Sequence, residues 1–362
     1  MSESAIPGLV LIFILAVAFD YINGFHDTAN AIATSVSTRA LKPEYAIFLS
    51  ASANFAGALI FGVAVAKTIG SGIVRDDLIL GDGATVLVAA LGGAIAWDLI
   101  TWRMSIPSSS SHALIGGLIG AAGAAAGPDA VQWSNFGVKV LFPLFTSPAL
   151  GLIIGFGLML LLLNLIGHGV PRRLGALVRR ARRGGDSAGE DTGTLPRKIN
   201  DRFRKLQIVS ATYMALSHGS NDAQKTMGIM TLALINAGAV TDKAPPLPVI
   251  LLAATAMSLG TAAGGWRIMK TMGQGVVKLD PLHGFAAETT AASIILGASH
   301  FGMPVSTTHV ISTAIMGVGS SDRAKAVRWG VARNIVTAWV LTIPCTAVIA
   351  GGIYLGLHLA GV

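Results

Sequence analysis

Residues 106–112 read IPSSSSH and residues 303–309 read MPVSTTH. Both follow the pattern P-x-S-[ST]-[ST]-H, and each is followed by small, apolar, Gly-containing sequence. Upstream of each lies an aspartate cluster, GFHDTANA at Gly24–Ala31 and GSNDAQKT at Gly219–Thr226. Asp27 precedes His112 by 85 residues, and Asp222 precedes His309 by 87. Two unrelated motifs recurring in one order at nearly one separation mark an internal duplication. If each half crosses a membrane an odd number of times, the halves are inverted relative to one another, which is a transporter architecture.

Composition places the chain in a bilayer. Of its 362 residues 52% are hydrophobic and only 12% charged, with 44 glycines, against about 25% charge in an ordinary soluble domain. Apolar stretches near residues 7–22, 45–66, 84–101 and 138–166, then 206–216, 247–264, 285–299 and 331–359, span or nearly span a bilayer that needs about 20 residues per helix. The first is read as a retained helix, since no Lys or Arg precedes it and no small-residue cleavage pattern follows. Four shorter apolar pieces, Asp27–Ser37, His112–Ala126, Asp222–Ala237 and His309–Val318, each open on a polar cluster and are expected to be half-helices. The predicted fold is an all-α polytopic membrane protein made of two homologous, inverted repeats with broken or re-entrant half-helices. Its parts are an N-terminal membrane repeat over 1–166, a linker over 167–205 and a C-terminal membrane repeat over 206–362.

The linker holds 11 of the 26 basic residues, from Arg172 to Lys205, which the positive-inside rule places in the cytoplasm of a multi-pass plasma-membrane protein. Its tract RRGGDSAGEDTGT has the composition of a flexible connector. With the positive excess concentrated there, the net charge of +8 is topological and implies no nucleic acid. Trp97, Trp102, Trp133, Trp266 and Trp329 stand near the ends of apolar runs, as an aromatic belt would. The single cysteine, Cys345, excludes a disulfide framework.

An ionisable side chain within an apolar segment costs about 2.5–3.5 kcal/mol on insertion scales, so it is a functional candidate by default. Asp27 and Asp222 are such residues, with Asn30, Asn221, Gln224 and Lys225 beside them. A hydroxyl-rich stretch after a proline, opening a short helix, offers O–H groups and free backbone N–H groups at the positive end of a helix dipole, a ready anion site. Ser109, Ser110 and Ser111 in one half and Ser306, Thr307 and Thr308 in the other fit that role. Capping requires one hydroxyl per helix, and each segment supplies at least three. His112 and His309 follow directly and either bond the substrate or orient the hydroxyls. Glu288 and Asp98 lie inside apolar runs and serve as relay or ion ligands, or pair with a neighbouring helix. GGLIG at Gly116–Gly120 signals close helix packing.

The two aspartate motifs resemble the repeated signature of the PiT family of inorganic phosphate transporters, and the two P-x-S-[ST]-[ST]-H segments resemble that family's second repeated motif. The resemblance covers both halves and spares only the central linker. It implies uptake of inorganic phosphate by symport, with sodium or protons as coupling ion, in some bacterial members as a neutral complex with a divalent metal. It also implies assembly as a homodimer, and some relatives carry sulfate. Where the family pattern has Asn, this sequence has His26 and Lys225, while Asn30 and Asn221 agree with it.

Two carboxylates beside a phosphate repel it, so cations must enter with the anion. Lys225 supplies one positive charge. The remainder comes from protons on Asp27, Asp222 or the nearby His26, from sodium, or from a divalent metal held through Asp27 and Asp222. An ammonium at Lys225 takes space and charge otherwise open to sodium, which favours proton or metal-phosphate coupling in a protein with no resident cofactor. A channel gives no reason for two acid-plus-hydroxyl motifs. An intramembrane hydrolase is disfavoured because H-E-x-x-H is absent and because His26 and Asp27, being adjacent, are expected to point apart on a helix.

Overall fold

The computed structural model describes residues 6–75, 83–169, 197–264, 268, 276–322 and 326–361. Eleven principal helices are present among them: α1 Ile6–Ser37, α2 Pro43–Ile60, α3 Ala64–Gly72, α4 Gly83–Arg103, α5 Ser110–Ala126, α6 Trp133–Ile166, α7 Arg197–Asn236, α8 Leu247–Ala263, α9 Pro281–His300, α10 Thr307–Asp322 and α11 Trp329–Leu359. The only β pairing among the described residues is an isolated bridge between Val74 and Val131. Helices α1, α4, α6 and α11 are long and apolar enough to cross a membrane. Pro148 and Pro344 lie inside α6 and α11, where neighbouring helices of a bundle tolerate them.

Two of the four expected half-helices are separate elements. The chain enters α5 and α10 from non-helical residues containing Pro107 and Pro304, because a proline excludes the α conformation from the residue before it. The other two are corrections. Asp27–Ser37 and Asp222–Ala237 continue helices of 32 and 40 residues, and nothing around Asp27 or Asp222 breaks the helical hydrogen bonding. Conversely, the stretch at 45–66 is broken where a single span was expected. Gly62 has φ +83, and the axes of Pro43–Ile60 and Ala64–Gly70 differ by 76°. Of the linker expected over 167–205, residues 167–169 continue the helix that contains α6, and residues 170–196 lie outside the described residues, as does Trp266. Residues 197–205, assigned to the linker, form the first turns of α7.

The halves are built alike. α1 and α7 close with one turn type: Arg39 (φ 58) donates to Val36 O and Ala40 to Ser35 O, while Gly238 (φ +67) donates to Ile235 O and Ala239 to Leu234 O. These are the paired backbone bonds of a left-handed helix end. The same turn precedes each hydroxyl motif, at Ser105 (φ 59) and Gly302 (φ +65). Partners are exchanged between the halves. α5 packs on α11 while α10 packs on α6, and α1 packs on α8 while α7 packs on α2.

Four glycines set the last two contacts. A Cβ on Gly24 would lie 2.3 Å from Met257 O, and one on Gly260 would lie 2.1 Å from Tyr21 O. In the mate pair, a Cβ on Gly219 would lie 2.1 Å from Asn54 O, and one on Gly57 would lie 2.1 Å from Leu216 O. In all four cases the atom met is the carbonyl three residues before the facing glycine. Gly120, in GGLIG, likewise has no room, with Ala347 O 2.0 Å from a Cβ there, so that motif's packing role holds.

Buried apolar residues form two cores. One takes Ile12, Ala16 and Phe19 of α1 with Ala223–Ala233 of α7; the other takes Ala29–Ala33 of α1 with Phe203, Met214 and Ala215 of α7. Each long helix thus passes from one core to the other. The buried polar residues Asn23, His26 and Asp27 of α1 and Ser217, His218 and Ser220–Asp222 of α7 sit at the handover, and the candidate site lies there, between the cores.

Candidate functional site

Helices α5 and α10 begin within the protein and bring their N-termini together. In each, the first hydroxyl of the motif caps the helix: Ser109 Oγ accepts from His112 N at 3.3 Å and Ser306 Oγ accepts from His309 N at 3.2 Å. That occupies Ser109 and Ser306 in capping. The next two hydroxyls of each helix reach the long helices. Ser110 Oγ donates to Asn23 Oδ1 at 2.7 Å, and Ser111 Oγ lies within hydrogen-bond distance of Val305 O and of Lys225 Nζ. Thr307 Oγ1 donates to Asp222 Oδ2 at 3.1 Å and is 3.4 Å from Asp27 Oδ2. Thr308 Oγ1 accepts from Asn30 Nδ2 at 2.8 Å and is 3.5 Å from Asp27 Oδ2. All of these residues are buried.

Asp27 and Asp222 therefore face a common space, with Thr307 between them. Lys225 Nζ pairs with Asp222 Oδ1. His218, absent from the sequence expectations, completes the group: its Nε2 is 3.2 Å from Asp222 Oδ2 and 3.9 Å from Asp27 Oδ2, and its Nδ1 is 3.3 Å from Asn54 Oδ1. One donor atom from each of Asp27, His218 and Asp222 lies within 4.8 Å of the others. Two carboxylates and an imidazole in that span suit a divalent cation. The signal for His218 was present in the sequence. It stands four residues before Asp222, as Asn23 stands four before Asp27, and residues four apart share one helix face.

His26 contradicts the expectation that adjacent side chains on a helix diverge. Its Nδ1 is 2.8 Å from Asp27 Oδ1, because the two side chains together are long enough to close the roughly 100° between adjacent positions of a helix turn. Its Nε2 is 3.4 Å from both Thr101 Oγ1 and Ser108 Oγ, which lie 2.7 Å from one another. His26 thereby links Asp27 to α4 and to the segment preceding α5.

The remaining candidates stand apart from this space. Asn221 Nδ2 donates to Ser299 Oγ at 2.8 Å, tying α7 to α9. Gln224 Oε1 accepts from Val65 N at 2.8 Å and Ala66 N at 3.3 Å, anchoring the start of α3. Glu288 accepts from Thr34 Oγ1 at 2.5 Å, from Gln207 Nε2 at 3.2 Å and from Ser210 Oγ. Thr34 is two turns beyond Asp27 in α1, about 10 Å at 1.5 Å per residue, so Glu288 forms a separate polar centre between α1, α7 and α9. His112 Nδ1 and both ring nitrogens of His309 have no hydrogen-bond partner among the described residues. The rings lie 4.7 Å apart, and His309 stacks on Trp339 at 3.9 Å. Asp98 is buried, and neither carboxylate oxygen has a hydrogen-bond partner among the described residues. Trp97, expected in the belt, donates instead to Thr342 Oγ1 of α11 at 3.2 Å.

A model of the phosphate transporter family matches residues 23–350, a span that begins at Asn23 and contains every residue of the site. The chain belongs to the phosphate transporter family. It is 47% identical over 351 residues to a probable low-affinity inorganic phosphate transporter of Bacillus subtilis, covering 97% of each chain. It is 43% identical to the Rhizobium meliloti protein of the same name, covering 98% of each. Among solved structures it matches one titled the sodium-dependent phosphate transporter, with a TM-score of 0.84 at 27% identity, covering 98% of this chain and 99% of that one. Membership makes the chain a transporter and not an enzyme.

Proposed function

We propose that this chain is a secondary transporter that moves inorganic phosphate across the membrane by symport with protons. The observation that carries the proposal is the meeting of two helix N-termini, bearing Ser110, Ser111, Thr307 and Thr308, over the pair Asp27 and Asp222 with Lys225. An oxyanion there finds hydroxyl donors, a buried ammonium and the free N–H groups of two first turns. Two imidazoles flank Asp27, His26 and His218, so proton acceptors stand where the anion's charge must be balanced. The donor set of Asp27, His218 and Asp222 suits a divalent metal travelling with the phosphate as a neutral complex.

The paired turns and exchanged contacts support two repeats of inverted orientation rocking around one shared site. The basic segment between them lies in the cytoplasm by the positive-inside rule, in a plasma-membrane homodimer. Sodium is the competing coupling ion, since the structural relative is titled sodium-dependent. Sulfate is the competing substrate, because hydroxyls and a helix dipole do not distinguish two tetrahedral oxyanions.

Uptake of labelled phosphate into proteoliposomes under separately imposed proton and sodium gradients, with and without magnesium and a chelator, tests this reading. Proton-driven uptake that Asp27→Asn abolishes and excess sulfate leaves intact is expected. Full competition by sulfate, or uptake driven by sodium alone, overturns the substrate or the coupling ion respectively.

A further inference from the structure

Aligning the two motif sets pairs Asp27 with Asp222, Asn30 with Lys225, and Ser111 with Thr308. The geometry keeps that pairing. Three residues after its aspartate, each long helix sends one donor to the third hydroxyl of the opposite half: Asn30 Nδ2 to Thr308 Oγ1, and Lys225 Nζ to Ser111 Oγ. The two bonds do the same mechanical work, joining α1 to α10 and α7 to α5. They differ in charge. The first donor is a neutral amide, while the second is an ammonium that also pairs with the carboxylate of its own repeat. Lys225 is 1% exposed, so its charge is answered by protein groups and not by water.

We infer that Lys225 does the work of a bound cation at the second aspartate, and that it sets this transporter's demand for free cations one lower than the symmetric arrangement would require. The inference rests on the proposed phosphate site and adds to it the residue that fixes cation demand. Without the ammonium, Asp222 and an incoming phosphate would face each other with no fixed countercharge, and a buried charge left unpaired is heavily penalised. Restoring the symmetry with Lys225→Asn leaves Asp222 Oδ1, Ser111 Oγ and an introduced amide oxygen around the place that Nζ held. Oxygens of that kind suit a small hard cation, and sodium is a monovalent cation of that class.

The experiment compares wild type, Lys225→Asn and Lys225→Arg for phosphate uptake into proteoliposomes with equal sodium, or choline in its place, on both sides. Sodium is expected to raise uptake by Lys225→Asn about tenfold, the effect of one added binding interaction. Wild type and Lys225→Arg, which keep the fixed charge at Asp222 and have the His26 ring 2.8 Å from Asp27 Oδ1 in the other half, are expected to be insensitive to it. Sodium-insensitive uptake by Lys225→Asn, or sodium-stimulated uptake by wild type, overturns the inference. Should Lys225→Asn carry no phosphate, thermal unfolding of the purified variants without phosphate decides. A sodium-dependent rise in Tm confined to Lys225→Asn supports the inference, and equal Tm values in sodium and choline overturn it. That readout involves no phosphate, so it stands apart from the substrate assignment, which fails if wild type takes up none.

Discussion

Asn30 donates to Thr308 at 2.8 Å across the boundary between the two halves of the chain. The bond holds Thr308 beside Asp27 and fixes the start of α10 against α1. Thr308→Ala removes both a hydroxyl of the proposed phosphate site and the acceptor of a buried amide, at about 1–3 kcal/mol. An increase of roughly tenfold in the KM for phosphate uptake corresponds to the lower end of that range. Thr308→Ser, which keeps the hydroxyl, should restore most of it. An unchanged KM in Thr308→Ala would place phosphate elsewhere.

The glycine contacts between α1 and α8 leave no space for a methyl group. Gly24→Ala would drive a Cβ to 2.3 Å from Met257 O, and such overpacking costs about 1–3 kcal/mol. Gly123 is helical with nothing within 4 Å of a Cβ built there, so Gly123→Ala should be neutral or stabilising by up to about 1 kcal/mol. Thermal unfolding in detergent separates the two. Equal Tm values would show that the helices can part at no cost.

Glu288 has three side-chain donors on its two oxygens, from Thr34, Gln207 and Ser210. Glu288→Ala strands all three, whereas Glu288→Gln keeps one acceptor oxygen. The alanine variant should therefore unfold at the lower temperature, with about 1–3 kcal/mol for each group left without a partner. If the glutamine variant is the less stable, the network depends on the charge of Glu288 more than on its hydrogen bonds.

Gln224 anchors α3, away from the space between Asp27 and Asp222. Gln224→Ala removes the acceptor for Val65 N and Ala66 N, a loss comparable to removing an N-cap, about 0.5–2 kcal/mol. Amide hydrogen exchange should quicken across residues 64–72 and stay unchanged in α5. Uniform protection in both helices would mean that α3 is held by other contacts.

Much of this arrangement was readable because duplication repeats a pattern, and a repeated polar cluster inside apolar sequence has few explanations. Ser110, Ser111, Thr307 and Thr308 converge with Asp27 and Asp222 as their residue types suggested. Continuity of α1 through Asp27 was not readable. Polar residues look like a break in hydropathy, yet here they stay helical because facing helices bury them and supply their hydrogen bonds. Gln224 and Asn221 lie in the same motif as Asp222 but point to α3 and α9. Motif membership says nothing of direction, and only the helical period separates one face from another. Glu288 stood out as an intramembrane acid, but its partners Thr34, Ser210 and Gln207 are remote in sequence and carry no motif.

The exchange of partners between halves bears on how the molecule is made. During synthesis α1 and α5 emerge long before α8 and α11, the helices that cover them. Ser110 and Asn23 can meet early, since both lie in the first half. The bond from Asn30, the partner of Ser111 and the second aspartate all wait for residues beyond 220. Until α10 leaves the ribosome, half a transporter sits in the bilayer with its polar surface uncovered, and a chain that stops short of α10 is an open substrate for membrane quality control.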